Sequence, residues 1–184
     1  MVSDKKRLLQ RFRVPLGFLL SAAFLFFARP TWLTLSVGGA IAVVGVLIRA
    51  WAAGHIHKYE KLAVTGPYSY SRNPLYLGSF VLAVGITIAA NVWWLSLITA
   101  ALFLGIYFPV MRVEEQDLQG RHGAAFDEFA ENVPLFFPRL TPWKKGDAGF
   151  DFQLYLKHRE YQAALGLLFG LGVLAAKMLV FPQG

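Results

Sequence analysis

The sequence predicts an all-α integral membrane protein: five transmembrane helices with interfacial helices on the cytoplasmic side, the N-terminus inside and the C-terminus outside. Three observations lead there. Hydrophobic residues make up 56% of the 184 residues and charged residues only 16%, whereas a soluble domain carries about 25% charged residues. Five stretches reach or approach the roughly 20 apolar residues that a crossing needs. All the basic residues but Arg29 and Lys177 fall in three segments that five crossings place on one face, as cytoplasmic loops require.

The first stretch, Val14–Ala28, is short, but Arg11 and Arg13 before it can snorkel to the interface. A signal peptide is the rival reading, since Lys5, Lys6 and Arg7 precede an apolar run. No small-x-small cleavage site follows, and Arg29-Pro30 reads as a hairpin into the second helix, Thr31–Ile48, which stops at Arg49. From Asn73 to Met111 there is no charged residue in 39 positions. That suits two crossings, about Leu75–Ala90 and Val92–Val110, turning near Asn91. The fifth is Gln162–Phe181. On it, Gly166 and Gly170 have the G-x-x-x-G spacing that permits close helix contact, read here as packing within the chain, with a monomer favoured.

The net charge of +7 then marks loops facing anionic lipid rather than a nucleic-acid partner. The absence of cysteine excludes disulfides, thiolate metal sites and cysteine nucleophiles. His55 and His57 diverge on a helix, and His122 and His158 lack companions, so no metal site is expected. No H-E-x-x-H, P-loop or G-x-S-x-G occurs. Gly170-Leu171-Gly172 follows no strand, which fails the dinucleotide fingerprint.

Polar chemistry concentrates in two blocks at the basic face. The first runs from His55 to Tyr76. Thr65-Gly66-Pro67 is a turn signal. Asn73 and Pro74 have the residue types of an N-cap and a first helical position, so the third helix opens with free N–H groups at the membrane boundary. Tyr68, Tyr70 and Tyr76 suit an interfacial belt singly, but three of them crowded with Arg72 and Asn73 favour a site. The second block is Arg112-Val113-Glu114-Glu115-Gln116-Asp117-Leu118. Glu114 and Glu115 lie about 100° apart on a helix, so they are not expected to share one solvent-facing environment, and one is expected to turn toward the bundle. After it, Phe126 and Phe129 share a face of what reads as an interfacial amphipathic helix. Phe150, Phe152, Leu154, Tyr155 and Leu156 form a second apolar patch before the fifth span.

Gly66-Pro67-Tyr68 with Arg72-Asn73-Pro74-Leu75-Tyr76, then Glu114-Glu115-x-x-Leu118, Gly123-x-x-Phe126-x-x-Phe129 and Pro138, resembles the isoprenylcysteine carboxyl methyltransferase family, a relative of the membrane phospholipid N-methyltransferases. The similarity covers roughly residues 50–140. It implies one membrane domain over 1–184: an N-terminal helical hairpin (1–54), a catalytic core (55–140), and an interfacial segment with the fifth span (141–184). The implied cofactor is S-adenosyl-L-methionine (SAM), held without a Rossmann domain. The resemblance places Glu60, Lys61, Leu62, Ala63, Tyr68, Asn73, Pro74, Leu75 and Tyr76 along the cofactor pocket, much of the Glu60–Ala63 part through backbone. It gives Glu114 the cofactor's ammonium. Arg72 and Arg112 are the candidates for a substrate carboxylate. Glu115 is the nearest base for an amine acceptor. Asn73 stands where the family usually has histidine, and Phe126 and Phe129 where tyrosines are common.

The expected activity is methylation of a small lipidic or hydrophobic acceptor, a carboxylate among the candidates, at the cytoplasmic face of a prokaryotic inner membrane. O- and N-methylation both remain open. The expected partners are the bilayer and the lipidic substrate. A sterol-reductase-like, NADPH-dependent oxidoreductase and a non-catalytic membrane protein are the competing readings.

Overall fold

The computed structural model describes residues 19, 22–24, 26–56, 62–146 and 149–180. Within the expected first span, residues 19, 22–24, 26 and 27 are helical; the rest of that span before Ala28, the five N-terminal basic residues, His57, Glu60 and Lys61 lie outside the described residues. Six labelled helices follow: α1 (Trp32–Ala53), α2 (Pro74–Ala90), α3 (Trp93–His122), α4 (Ala124–Asn132), α5 (Phe152–Lys157) and α6 (Tyr161–Val180), with a 3₁₀ turn at Gly66–Ser69 between α1 and α2. No strand occurs among the described residues. Three helices, α1, α3 and α6, are long and apolar enough to cross a membrane; α2, at 17 residues, is apolar but shorter.

Local chemistry sets the ends. Thr31 caps α1 reciprocally with Thr34: Thr34 N–H donates to Thr31 Oγ1 at 3.2 Å and Thr31 N–H to Thr34 Oγ1 at 2.9 Å, which satisfies donors the helix leaves open. Asn91 ends α2 in the left-handed conformation, φ 55°, which asparagine tolerates. Its side-chain amide donates to Arg29 O at 3.1 Å, and Arg29 N–H to Ala90 O at 2.9 Å. The two turns expected opposite the polar face are thus tied to each other.

The tightest packing lies between α1 and α2. A Cβ added at Gly38, Gly45, Gly78 or Gly85 would lie under 3.0 Å from atoms of the facing helix, with backbone atoms among them in every case. Glycines seven residues apart on each helix let the two backbones touch, the means by which helices associate where lipid gives no hydrophobic drive. Leu33, Val37, Val43, Val44 and Leu47 on α1 remain exposed, as side chains facing lipid would be. The glycines expected to pack are others. Gly166, Gly170 and Gly172 of α6 meet nothing within 4 Å; α6 packs instead through Leu167, Leu171 and Leu174.

The helix itself does not stop where the expected fourth span ends, near Val110: α3 runs unbroken for 30 residues to His122, with Pro109 inside it. The two glutamates therefore sit on the same rod as the membrane segment. The Phe126–Phe129 helix does not lay its aromatic face on an interface either. Phe126 and Phe129 are buried against Ala52, Tyr68 and Val133, so α4 roofs the polar end of the bundle.

Candidate functional site

Gly66 enters the 3₁₀ turn with φ +58°, a backbone state that favours glycine. A side chain there would also strike the His55 ring, which is held by a 2.9 Å contact between its Nδ1 and Trp51 O. The turn buries Tyr68. It is then stitched to a distant loop, residues 134–144. Ser69 Oγ donates to Lys144 O and accepts from Lys144 N–H, both at 2.8 Å. Ser71 Oγ donates to Phe136 O at 2.8 Å, and Arg72 N–H to Pro134 O at 3.0 Å. Asn73 Nδ2 donates to Leu135 O at 3.0 Å. Asn73 thus precedes α2 without capping it through its side chain, and its donor serves the loop.

Between this turn, the start of α2, the end of α3 and α4 lies a small cleft, open at its mouth. Of the residues predicted for a site, Tyr68, Arg72, Asn73, Pro74, Leu75, Tyr76, Glu114 and Glu115 line it. Leu62 and Ala63 pack on the apolar cluster beside it. Arg112 is half exposed and reaches the site through its ion pair with Glu115. Ile56, Leu118, Phe126 and Phe129 complete the lining; the sequence pattern marked the two phenylalanines as membrane-facing and gave no role to Ile56.

Both acids enter the site. The cleft wraps the end of α3, so residues 100° apart meet different walls of it. Glu114 Oε1 accepts from Tyr76 Oη at 3.0 Å. Glu115 sits between two guanidinium groups, at 2.6 Å from Arg72 and 3.1 Å from Arg112. Buried polar groups are normally paired, yet Tyr68 Oη and Arg72 Nε are buried without a hydrogen-bond partner. Burial lowers the pKa of Arg72, with Glu115 opposing and Arg112 adding to the drop.

Burial first, then Glu114 and Glu160, push the Tyr68 hydroxyl far above its ordinary value of 10.0. The folded chain keeps this proton where the unfolded chain loses it, so the stability Tyr68 confers is complete below pH 10 and declines as pH climbs beyond it. In an alkaline titration followed by phenolate absorbance, Tyr68 is expected to ionise only with unfolding; Tyr68→Phe should delete that step.

The geometry agrees with what the chain is similar to. The family model for phospholipid methyltransferases matches residues 18–125, more than half of the chain. Among curated proteins, the nickel-cobalt-cadmium resistance protein NccN of Alcaligenes xylosoxydans xylosoxydans is 37% identical over 116 residues, 60% of this chain and 54% of that protein. The cobalt-zinc-cadmium resistance protein CzcN of Cupriavidus metallidurans is 35% identical over 121 residues, 62% of this chain and 53% of that protein. The chain spans about half the length of these curated relatives. No solved structure gives a significant match. A polar cleft at one end of an apolar helical bundle, built on the motifs the family model covers, leads to one conclusion: the chain belongs to the phospholipid methyltransferase family.

Proposed function

We propose that this membrane protein is a SAM-dependent methyltransferase that modifies a small lipidic acceptor at the cytoplasmic face of a bacterial inner membrane. One observation carries the reading: an acid, Glu114, and an unpartnered buried hydroxyl, Tyr68 Oη, line the same cleft at the opening of α2. That set fits a zwitterionic, sulfonium-bearing ligand. Bound there, SAM supplies an electrophilic methyl group. Glu114 holds the ammonium by a charge-assisted hydrogen bond, and Tyr76 orients the carboxylate of Glu114. The open N-terminus of α2 and Arg72 favour the ligand's carboxylate, and tyrosine faces favour the sulfonium. The remaining work is to align donor and acceptor and to keep water out, which the Phe126–Phe129 roof serves.

Glu115 is committed to two arginines and is poorly placed to take a proton from an amine. This favours a carboxylate acceptor, which is already ionised at neutral pH, over N-methylation. The topology that goes with this reading is five spans with the basic loops inside. Against an NADPH enzyme, Arg49 is held by Glu160 rather than offered to a 2′-phosphate. A part in metal resistance, of the kind the relatives' names state, would then run through a modified lipid.

Thermal unfolding in detergent tests the reading. A ligand at 100 times its Kd raises stability by about 2.7 kcal/mol. S-adenosylhomocysteine is expected to raise the melting temperature and NADPH to leave it unchanged; stabilisation by NADPH alone, or by neither, removes the proposal. Membranes incubated with methyl-labelled SAM should then yield a base-labile labelled lipid if the product is an ester.

A further inference from the structure

A second cluster of charge lies behind the cleft and joins segments far apart in sequence. Arg49, near the end of α1, donates to Glu160 through Nε and one terminal nitrogen, at 2.7 to 3.0 Å. Its other terminal nitrogen donates to Ser79 of α2. Both charged side chains are largely buried, 23% and 12% exposed. Ser79 Oγ in turn donates to Leu75 O at 2.9 Å, and Leu75 lines the cleft. Gly78 leaves the space this needs, because a Cβ there would lie 2.7 Å from Arg49 Cγ. Glu160 is set by an unusual turn: Arg159, just before it, has φ +55°, a conformation disfavoured for a residue with a Cβ.

An ion pair removed from water stabilises only when its geometry is good and its remaining donors are satisfied. Here the fork is filled on both sides, and the second hydrogen bond ends on the backbone of the first turn of α2. The family match stops at residue 125, so Glu160 comes from a part of the chain that the match does not reach.

We infer that Glu160 is a positioning residue of the cleft: through Arg49 and Ser79 it fixes the first turn of α2, where Pro74, Leu75 and Tyr76 form one wall. The inference rests on the reading of the cleft as a SAM site only for its effect on affinity; the fixing of the turn stands apart from it. Glu160 touches no ligand in this scheme. Its loss loosens the turn, displaces Tyr76 from Glu114 and weakens whatever the two hold.

The test uses the full chain in lipid nanodiscs, with Glu160→Gln and Ser79→Ala as variants. The second keeps the ion pair and removes the Ser79 hydroxyl that joins Arg49 to Leu75. Amide hydrogen exchange over residues 75–80 is read without ligand, and S-adenosylhomocysteine affinity by calorimetry. Both variants are expected to exchange faster in that turn, with α3 unchanged, and to bind about tenfold more weakly, the effect of losing roughly one strong hydrogen bond; Glu160→Gln, which leaves Arg49 unpaired, should melt lower, whereas Ser79→Ala should melt close to wild type. Wild-type exchange in both variants overturns the inference, as does wild-type affinity with faster exchange. Should Glu160→Gln fail to fold, Ser79→Ala decides alone. If the wild type binds no S-adenosylhomocysteine, the cofactor reading falls, and the exchange pattern still decides whether the clamp exists.

Discussion

Replacing Glu114 by glutamine is expected to weaken S-adenosylhomocysteine binding about a hundredfold while the protein still folds. The substitution keeps the shape and the capacity to accept from Tyr76 Oη, 3.0 Å away. It removes the charge that would face an ammonium, and truncating one side of a buried charge pair costs about 2–5 kcal/mol. Calorimetric titration in detergent reads the loss directly. Glu131→Gln, on the exposed face of α4, should bind as wild type. If a folded Glu114→Gln variant binds S-adenosylhomocysteine with undiminished affinity, Glu114 does not hold the ammonium. The contrast with Glu115 is part of the argument: that residue's charge is already met by Arg72 and Arg112.

The other large effect concerns the α1–α2 seam. Gly85→Ala places one methyl group against backbone atoms of Ala42 and Gly38. A flexible side chain can swing aside, but a packed helix backbone cannot, so the two helices must part along their length. Overpacking of a core typically costs about 1–3 kcal/mol, and this contact belongs at or beyond the upper end. The melting temperature is expected to fall sharply, and ligand binding with it, because the opening turn of α2 is carried on the displaced helix. Gly166→Ala is the matched control. Its Cβ meets nothing within 4 Å, and alanine outranks glycine in a helix by about 1 kcal/mol, so the melting temperature should hold or rise. Equal destabilisation by both substitutions would show that the seam is no special contact.

These two predictions also mark how far the sequence was readable. Four of the apolar stretches announce helices by hydropathy, and α2 begins at Pro74 and turns at Asn91 as their chemistry dictates. Glu114, Tyr68 and Tyr76 stand out because their residue types suit a site and their motifs recur in a known family. What the sequence hid depends on separation along the chain. Ser69 and Ser71 look like loop residues until strands of loop 65 to 75 positions away bury them. Glu160 lies 111 positions from the arginine that holds it. Phe126 and Phe129 have the periodicity of a membrane-facing stripe, and only the position of Tyr68 turns that stripe into a roof. The glycines of the seam stand seven residues apart on each helix, a spacing that acquires meaning only once the two helices face each other, whereas the G-x-x-x-G of α6 faces open space.

One rung of α3 is weaker than the rest. Pro109 has no amide hydrogen to give to the carbonyl of Gly105, and its ring presses toward that turn; Gly105 has open space where a side chain would be. The joint stands between the lipid-embedded stem and the stretch bearing the two carboxylates. A helix bends most cheaply where such a bond is already missing. A bend there would move both acids as a block relative to the tyrosine wall, without unwinding the stem or disturbing the glycine seam.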